Sequence, residues 1–253
     1  MNMTSFTPCR ICVKKPGPFP GYYYVTSSEG RRSVVECTCH KLWDSKQTLE
    51  RKLLAANLWT DQDYDPDRHY KGTKSRDEVD CIKKYVTQFD KRFADKMIYM
   101  YGVNGTQKTT LAMWAGRELI KRGKSVYYSL MENLSIALSP DFKAEDDSRQ
   151  RVVDKALNSD LLIVDESFDR SKMTLYKSGY QIPFIDSFIR NRFDISKKAI
   201  IFISNKPASS LAENGFGESL QSLVARNTRE STLVFRDEYI KEANDFDPKG
   251  LFK

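Results

Sequence analysis

The chain has 253 residues, of which 40% are hydrophobic and 30% charged, and its formal net charge is +7. These values are typical of a globular protein with one main domain and a smaller one, and no apolar stretch reaches the roughly 20 residues of a membrane-spanning helix. Because the N-terminus carries no charged-then-apolar signal sequence, we expect a cytoplasmic protein without a membrane partner. The positive charge permits an acidic partner such as nucleic acid but does not by itself indicate one.

Four of the five cysteines lie within the first 40 residues, namely Cys9, Cys12, Cys37 and Cys39. In a reducing compartment such clustering indicates a metal site rather than disulfides. Residues 22–25 and 33–36 are rich in β-forming residues and predict a hairpin between two cysteine-bearing turns, as in a zinc ribbon. Four thiolates would form a closed tetrahedral Zn²⁺ site, which supplies the folding energy that about 40 residues cannot obtain from a core. His40 is the alternative to one of the thiolates.

Residues 43–95 predict a helical connector. Apolar residues recur at helical spacing in residues 41–58 and again in residues 77–93. The intervening residues 59–76 are polar and rich in turn formers, so we expect a linker or a covering loop there. Cys81, in the second predicted helix, fits a small packed apolar residue.

Residues 102–110 (Gly-Val-Asn-Gly-Thr-Gln-Lys-Thr-Thr) follow the strand-like run 97–101 and precede a helix-like segment. This order predicts a phosphate-binding P-loop, in which backbone N–H groups and the helix N-terminus face the anion. Lys108 would reach the β- and γ-phosphates of ATP, and Thr109 would hold Mg²⁺. The Gly that usually precedes the Lys is replaced by Gln107, which leaves rapid hydrolysis in doubt. The predicted nucleotide-binding residues of this loop are Gly102, Val103, Asn104, Gly105, Thr106, Gln107, Lys108, Thr109 and Thr110.

Two further predicted strands end in polar residues. Residues 161–164 form a continuous apolar run, typical of a strand buried on both faces, and Asp165 and Glu166 follow it. Asp165 would assist in holding Mg²⁺, and Glu166 would orient or deprotonate the attacking water. Asn205 follows the apolar run 199–203 and would contact the γ-phosphate or that water.

Beyond residue 97, strands and helices alternate, which predicts an α/β core with a largely parallel sheet and helices on both faces. The nucleotide then lies at the carboxyl ends of the strands. The predicted strands are 97–101, 125–130, 161–164, 199–203 and 231–235, and the predicted helices are 108–122, 180–193 and 217–227, with further helices through 131–158. We expect a zinc-binding module (1–42), a connector (43–95), an ATPase core (96–240) and a tail (241–253).

The order of these motifs resembles that of the AAA+ ATPases, and more narrowly the DnaC/DnaI-type bacterial replicative-helicase loaders and their IstB-type relatives. The resemblance covers roughly residues 55–240. It is carried by the segments Ala55–Trp59, Ile82–Val86, Met100–Ala112, Val126–Ser129, Leu162–Glu166, Ile189–Phe193 and Ile203–Asn205. It implies an AAA+ P-loop NTPase core without a C-terminal lid domain, preceded by a small zinc module that docks on the helicase.

The resemblance also implies a function. The protein would bind a hexameric replicative DNA helicase and help to place it on single-stranded DNA during replication initiation, with slow ATP hydrolysis regulated by partner or DNA. ATP would lie between self-associating subunits, and an arginine from the neighbour would complete the site. The matching region assigns that role to Arg226 first and to Arg229 second, because a planar guanidinium suits the γ-phosphate.

Two alternatives stay open. A transposition helper ATPase of the IstB type would share the core, although the N-terminal zinc module speaks mildly against it. A zinc-dependent adaptor for nucleic acid or protein, whose P-loop is degenerate at Gln107 and does not hydrolyse ATP, belongs to another class. In the loader interpretation the protein acts in the bacterial cytoplasm, or in the host's cytoplasm if the gene belongs to a phage.

Overall fold

The computed structural model describes residues 6–14, 16–58, 64–139, 148–169, 171 and 181–236. The chain divides into two compact units, Met1–Leu54 and Ala55–Lys253. The predicted tail, residues 241–253, lies outside the described residues, as do 59–63 of the predicted linker and 140–147 of the predicted helical stretch. The domain boundaries drawn from the sequence stay predictions. Within the described residues, no helix combines the length and the apolarity needed to cross a membrane.

The first unit contains a short helix, a hairpin and a long helix. Its elements are α1 (Arg10–Lys14), β1 (Tyr22–Thr26), β2 (Arg32–Glu36) and α2 (Thr38–Ala55). The two strands pair antiparallel with Tyr24 opposite Val34, which confirms the predicted hairpin. Helix α2 begins three residues before the predicted start, because the N–H groups of His40 and Lys41 already donate to the carbonyl of Cys37. Cys39 therefore lies in the first turn of a helix rather than in a second free turn.

The second unit is built on a parallel sheet. Its strands are β3 (Met97–Gly102), β4 (Val126–Leu130), β5 (Leu161–Asp165), β6 (Ala199–Ser204) and β7 (Thr232–Phe235). They lie in the order β4-β5-β6-β3-β7, with every pairing parallel. All residues of β5 and β6 are buried, as expected of strands with helices on both faces. The predicted α/β core with a parallel sheet is confirmed.

Helices cover both faces of this sheet. They are α3 (Pro66–His69), α4 (Arg76–Thr87), α5 (Lys108–Lys121), α6 (Met131–Leu138), α7 (Ser148–Asn158), α8 (Gln181–Arg190) and α9 (Glu218–Thr228). Helix α5 packs against β4, β5 and β6. On the other face Leu134, Ile185 and Leu220 enter one buried apolar cluster with Leu162 and Phe202. The sheet is thus the middle layer of the second unit.

Two predicted helices end in a π-helical turn. The predicted helix 77–93 is α-helical to Thr87 and continues as a π turn over Phe89–Phe93, and the predicted helix 180–193 ends in a second one over Asn191–Ile195.

The expectation that Cys81 is packed is wrong, because this side chain is exposed. Helix α4 buries Val79, Ile82, Tyr85 and Val86, and position 81 falls on the other side of the helix.

A fully buried arginine lies in the second π turn. The guanidinium of Arg192 donates to the carbonyl oxygens of Ala156, Leu157, Ser159 and Ala199 at 2.6–3.0 Å. Three of these acceptors belong to the end of α7 and the turn after it, and the fourth begins β6. Arg192 therefore satisfies helix-end carbonyls that burial would otherwise leave without a donor.

Replacing Arg192 with Ala should destabilise the protein by about 3 kcal/mol, because several buried carbonyls lose their donor at once. For a unit of this size we expect the melting temperature to fall by roughly 10 °C. Arg190 is a matched control, since it is half-exposed and pairs with Asp186 at 2.9 Å. Arg190→Ala should cost about 0.5 kcal/mol. Thermal melts of both variants check this, and equal losses would contradict it.

Candidate nucleotide-binding site

The P-loop follows β3 directly and ends where α5 begins. At Gly102, where φ is +146°, an added Cβ would lie 2.0 Å from the carbonyl oxygen of Phe235, so only Gly fits. The hydroxyl of Tyr70, a fully buried residue, donates to the carbonyl of Thr106 at 2.6 Å and supports the loop from beneath. Tyr70 was not predicted as a site residue. A strand, a tight turn and a helix N-terminus thus form the predicted phosphate cradle.

Gln107 adopts the left-handed conformation, with φ 57° and ψ 25°. The sequence suggested that Gly belongs at this position, and the backbone gives the reason: Gly enters this region freely, whereas a residue with a Cβ is strained there by about 1 kcal/mol. The loop nevertheless keeps the turn that leads into α5, since the N–H of Leu111 donates to the carbonyl of Gln107 at 3.0 Å. Gln107 therefore costs energy at a turn that still leads into α5.

Lys108 is buried at the start of α5. Its ammonium donates to the carbonyls of Gly102 and Val103 at 3.0 and 2.7 Å and to Oγ1 of Thr106 at 3.3 Å. Burial lowers the pKa of Lys108 to about 8, and the charge of Asp165 acts in the opposite direction. The loop's own oxygen atoms thus bind the ammonium group. An anion bound in the loop would raise the pKa of Lys108 and stabilise its charged form.

Asp165, at the end of β5, faces Thr109 as the sequence predicts. Oδ2 of Asp165 accepts from Oγ1 of Thr109 at 2.7 Å and from the hydroxyl of Tyr128 at 3.0 Å. Oδ1 accepts from the N–H of Glu166 at 2.7 Å. Burial, and then the charge of Asp165, raises the pKa of Tyr128, so its hydroxyl remains a donor. Tyr128 was missed, because a Tyr in an apolar strand carries no local sign of a polar role.

Glu166 and Asn205 lie at the same edge of the sheet. Glu166 is half-buried, with a left-handed φ of 50°, and Asn205 is exposed directly after β6. The N–H of Ser167 donates to the carbonyl of Ile203 at 2.8 Å and joins the two strand ends. The predicted catalytic carboxylate and polar residue therefore follow adjacent strands, and β6, which precedes Asn205, pairs with the P-loop strand β3.

Arg226 and Arg229 lie near the amino ends of the strands, opposite the end at which Asp165 and the P-loop lie. Arg226 is exposed in the last turn of α9, and Arg229 is exposed just beyond it. The chain then reaches Ser231, whose hydroxyl donates at 2.5 Å to the carbonyl of Met97, the first residue of β3. The P-loop follows the last residue of β3, about 17 Å further along the strand. The structure therefore does not bring either arginine to Lys108 of its own chain.

The four N-terminal cysteines form a second cluster. Their Sγ atoms all lie within 4.8 Å of one another. The separation is 3.7 Å between Cys9 and Cys12, 3.5 Å between Cys9 and Cys37, and 3.5 Å between Cys12 and Cys39. Hydrogen bonds from the backbone of Cys12 and Ile11 lower the pKa of Cys9 to about 6, whereas burial raises the pKa of Cys12 to about 12. His40 lies outside this cluster, and its Nδ1 is 2.7 Å from Oε1 of Glu36.

A phosphate cradle and an acidic residue at the carboxyl ends of parallel strands define the class, that of the P-loop ATPases. More narrowly, the chain belongs to the family of IstB-like ATP binding proteins, whose model matches residues 37–212. The resemblance drawn from the sequence is thereby confirmed at the level of the family and of ATP binding. No curated protein matches the chain in sequence.

Solved structures with the same fold include replication proteins. The chain is similar to the replication initiator DnaA bound to AMPPCP and single-stranded DNA, with 20% identity and a TM-score of 0.56 over 72% of this chain and 53% of that one. AMPPCP-bound DnaA from Aquifex aeolicus gives 22% identity and a TM-score of 0.53 over 67% and 49%. DnaI gives 14% and 0.52 over 70% and 95%. The chain thus spans about half the length of the DnaA structures, and the likeness at these identities establishes the fold.

Replacing Gln107 with Gly should let the backbone approach the phosphates without a Cβ and so tighten ATP binding or speed turnover, by about fivefold at most. Gln107→Ala is the matched control, because it removes the amide but keeps the Cβ and the strain. Titration with a fluorescent ATP analogue, together with a turnover assay, checks both variants. A loss of binding in the Gly variant would mean that the Gln107 side chain has its own contact with the ligand.

ATP binding should weaken above pH 8. With the pKa of Lys108 at about 8 in the free protein, the ammonium loses its proton as the pH rises, and ATP must restore it. We expect affinity to fall by up to about tenfold per pH unit from pH 8 until the pKa of Lys108 in the complex is reached. Calorimetry in buffers of different ionisation enthalpy should detect proton uptake, which Lys108→Ala should abolish. Uptake that persists in this variant would contradict the assignment.

Proposed function

We propose that this protein is an ATP-dependent loader that binds a hexameric replicative DNA helicase and helps to place it on single-stranded DNA during replication initiation. The observation that carries the ATP-dependent part is the hydrogen bond of 2.7 Å between Thr109 and Asp165, beside the buried Lys108. Two parts of a nucleotide site, distant in sequence, meet there. Two structural neighbours support a role in replication initiation. DnaA is a replication initiator solved with an ATP analogue and single-stranded DNA, and DnaI resembles this chain over 95% of its own length.

The residues at the site fit a magnesium nucleotide. The hydroxyl of Thr109 and the carboxylate of Asp165 are the oxygen donors that Mg²⁺ prefers, and these two would hold the ion. The metal would supply charge neutralisation on the phosphates. Lys108 would bind the β- and γ-phosphates, Glu166 would orient the attacking water, and Asn205 would contact the γ-phosphate or that water.

A neighbouring subunit would complete the site with Arg226, or with Arg229 as the second choice. This proposal agrees with the position of both arginines at the sheet edge opposite their own P-loop. An exposed guanidinium at that edge can reach a P-loop only in another copy of the chain. Self-association through the ATPase core is therefore part of the proposed function, and hydrolysis would be slow in the isolated subunit.

The four cysteines fit a structural Zn²⁺. A tetrahedral site with Zn–S bonds of about 2.3 Å requires Sγ separations of about 3.8 Å, close to the 3.5–3.7 Å of the three pairs above. This geometry favours Cys9, Cys12, Cys37 and Cys39 over a set that includes His40. Because the first unit is small, the metal would contribute much of its folding energy.

The first unit also carries most of the chain's net positive charge. Its 54 residues contain nine Lys and Arg against four Asp and Glu, an excess of five out of the seven for the whole chain. Such a unit is suited to an acidic surface, either a partner protein or single-stranded DNA. We assign helicase docking to the first unit and the binding of single-stranded DNA to the assembled protein.

Two alternatives keep specific support. The family match to an IstB-like ATP binding protein favours a transposition helper ATPase with the same core. The strained backbone at Gln107 favours an adaptor that binds nucleotide without hydrolysing it. The partner distinguishes the first alternative from the loader, and turnover distinguishes the second.

Mixing two inactive variants tests the proposed subunit interface. Lys108→Ala and Arg226→Ala should each reduce ATP turnover at least tenfold, and their mixture should recover up to about a quarter of the wild-type rate, since some interfaces then pair an intact P-loop with an intact arginine. Arg229→Ala mixed with Lys108→Ala is the parallel experiment for the second candidate. Background rates for both wild type and Lys108→Ala would leave the adaptor as the explanation.

Zinc and helicase binding can be tested together. The purified protein should release one Zn²⁺ per chain on thiol modification, and Cys9→Ser with Cys12→Ser should lose both the metal and the folded first unit. Cys81→Ser is the control, because Cys81 is exposed outside the cluster. Tagged protein incubated with ATP in an extract of its native cells should retain a hexameric replicative helicase, and the double variant should not. Retention of a transposase would favour the first alternative.

A further inference from the structure

One hydrogen bond at the nucleotide site comes from a residue outside both motifs. The hydroxyl of Tyr128 donates to Oδ2 of Asp165 at 3.0 Å, the same oxygen that accepts from Thr109. The other oxygen is held by the N–H of Glu166. Of these three donors, Tyr128 is the one that belongs neither to the P-loop and its helix nor to the acidic strand end.

The position of Tyr128 is fixed from both sides of its strand. Strand β4 lies at the edge of the sheet, and its pairing with β5 places Leu130 opposite Asp165. On the outer side, the N–H of Tyr128 donates to the carbonyl of Ala56 at 2.9 Å, and Nδ2 of Asn57 donates to the carbonyl of Tyr128 at 3.2 Å. The backbone of Tyr128 is therefore anchored to a separate segment of the chain while its side chain reaches Asp165.

The two hydroxyl donors on Oδ2 differ in what else they are needed for. Thr109 lies at the start of α5, and its oxygen is one of the groups proposed to hold Mg²⁺. The hydroxyl can donate its proton to Asp165 while its oxygen holds the ion, so Thr109 would itself touch the metal. Tyr128 is set back on β4 and has no such second role, so its bond is able to persist when ATP is bound. A donor of this kind fixes the orientation of a metal-binding carboxylate and tunes its basicity.

We propose that Tyr128 is a positioning residue, which orients the carboxylate of Asp165 toward the hydrated Mg²⁺ of bound ATP. This inference rests on the proposed ATP-binding function and adds to it a residue that acts through Asp165 without touching the nucleotide. Its loss should weaken the magnesium-dependent part of nucleotide binding and leave the magnesium-independent part unchanged.

The test compares the full-length wild type with Tyr128→Phe and Tyr127→Phe. Tyr127 is a matched control, because the same hydroxyl is removed one residue away, from a buried side chain on the other face of the sheet whose hydroxyl contacts Asn57 and not Asp165. Affinity for a fluorescent ATP analogue is measured in EDTA and then as a function of Mg²⁺ concentration. We expect Tyr128→Phe to need about tenfold more Mg²⁺ for half-maximal tightening, with the affinity in EDTA unchanged. Tyr127→Phe should behave as wild type.

The outcomes separate this inference from the function on which it rests. The positioning role would be overturned if Tyr128→Phe needed no more Mg²⁺ than the wild type for half-maximal tightening. It would also be overturned if Tyr127→Phe raised this Mg²⁺ concentration as much as Tyr128→Phe does. Either result would leave ATP binding intact. A wild type that binds no nucleotide, or binds it without regard to Mg²⁺, would overturn both. Should Tyr128→Phe not fold, Tyr128→Leu carries the same test, because it also removes the hydroxyl that donates to Asp165. A raised Mg²⁺ requirement then supports the inference, and an unchanged one overturns it.

Discussion

Burial of β5 and β6 on both faces is the constraint on which the rest of the second unit depends. Every residue of these strands is withdrawn from water, and their backbones are satisfied by parallel neighbours on either side. Charged side chains can then appear only where the strands end. Asp165 and Glu166 are therefore forced to the carboxyl edge of the sheet, and because β3 runs in the same direction, the P-loop emerges at that edge as well. The site follows from strand direction.

The strands and the main site residues could be predicted because their signals are local. An uninterrupted apolar run followed by Asp165 can be recognised from about six consecutive residues, and so can a glycine-bearing turn before Lys108. Tyr128 and Tyr70 could not be found in this way. Each acts on a group more than 30 residues away in the sequence, and only the fold brings the pairs together. The expectation that Cys81 is packed was wrong because it was drawn from the residue type, which does not tell which side of a helix a residue occupies.

Three of the five non-Gly residues with a left-handed φ in the described part of the chain lie at or near the nucleotide site. Gln107, Glu166 and Phe168 all have left-handed φ angles of 50–61° although none is a Gly. Each costs about 1 kcal/mol, and such conformations persist only where the surroundings enforce them. Here α5 continues directly from Gln107, and the ring of Phe168 packs against those of Phe202 and Phe216. The buried layer beneath the site thus stabilises the turns that the chemistry requires.

The placement of Arg226 at one edge of the sheet and of the P-loop at the other has a consequence for any assembly. If each arginine serves the next subunit, the same head-to-tail contact repeats from copy to copy, and the two surfaces in contact are different. Such a chain of subunits has polarity. Left open, it contains one unpaired site at a single end, so that subunit alone would turn over slowly, and closing or lengthening the assembly would change the fraction of active sites without altering any subunit.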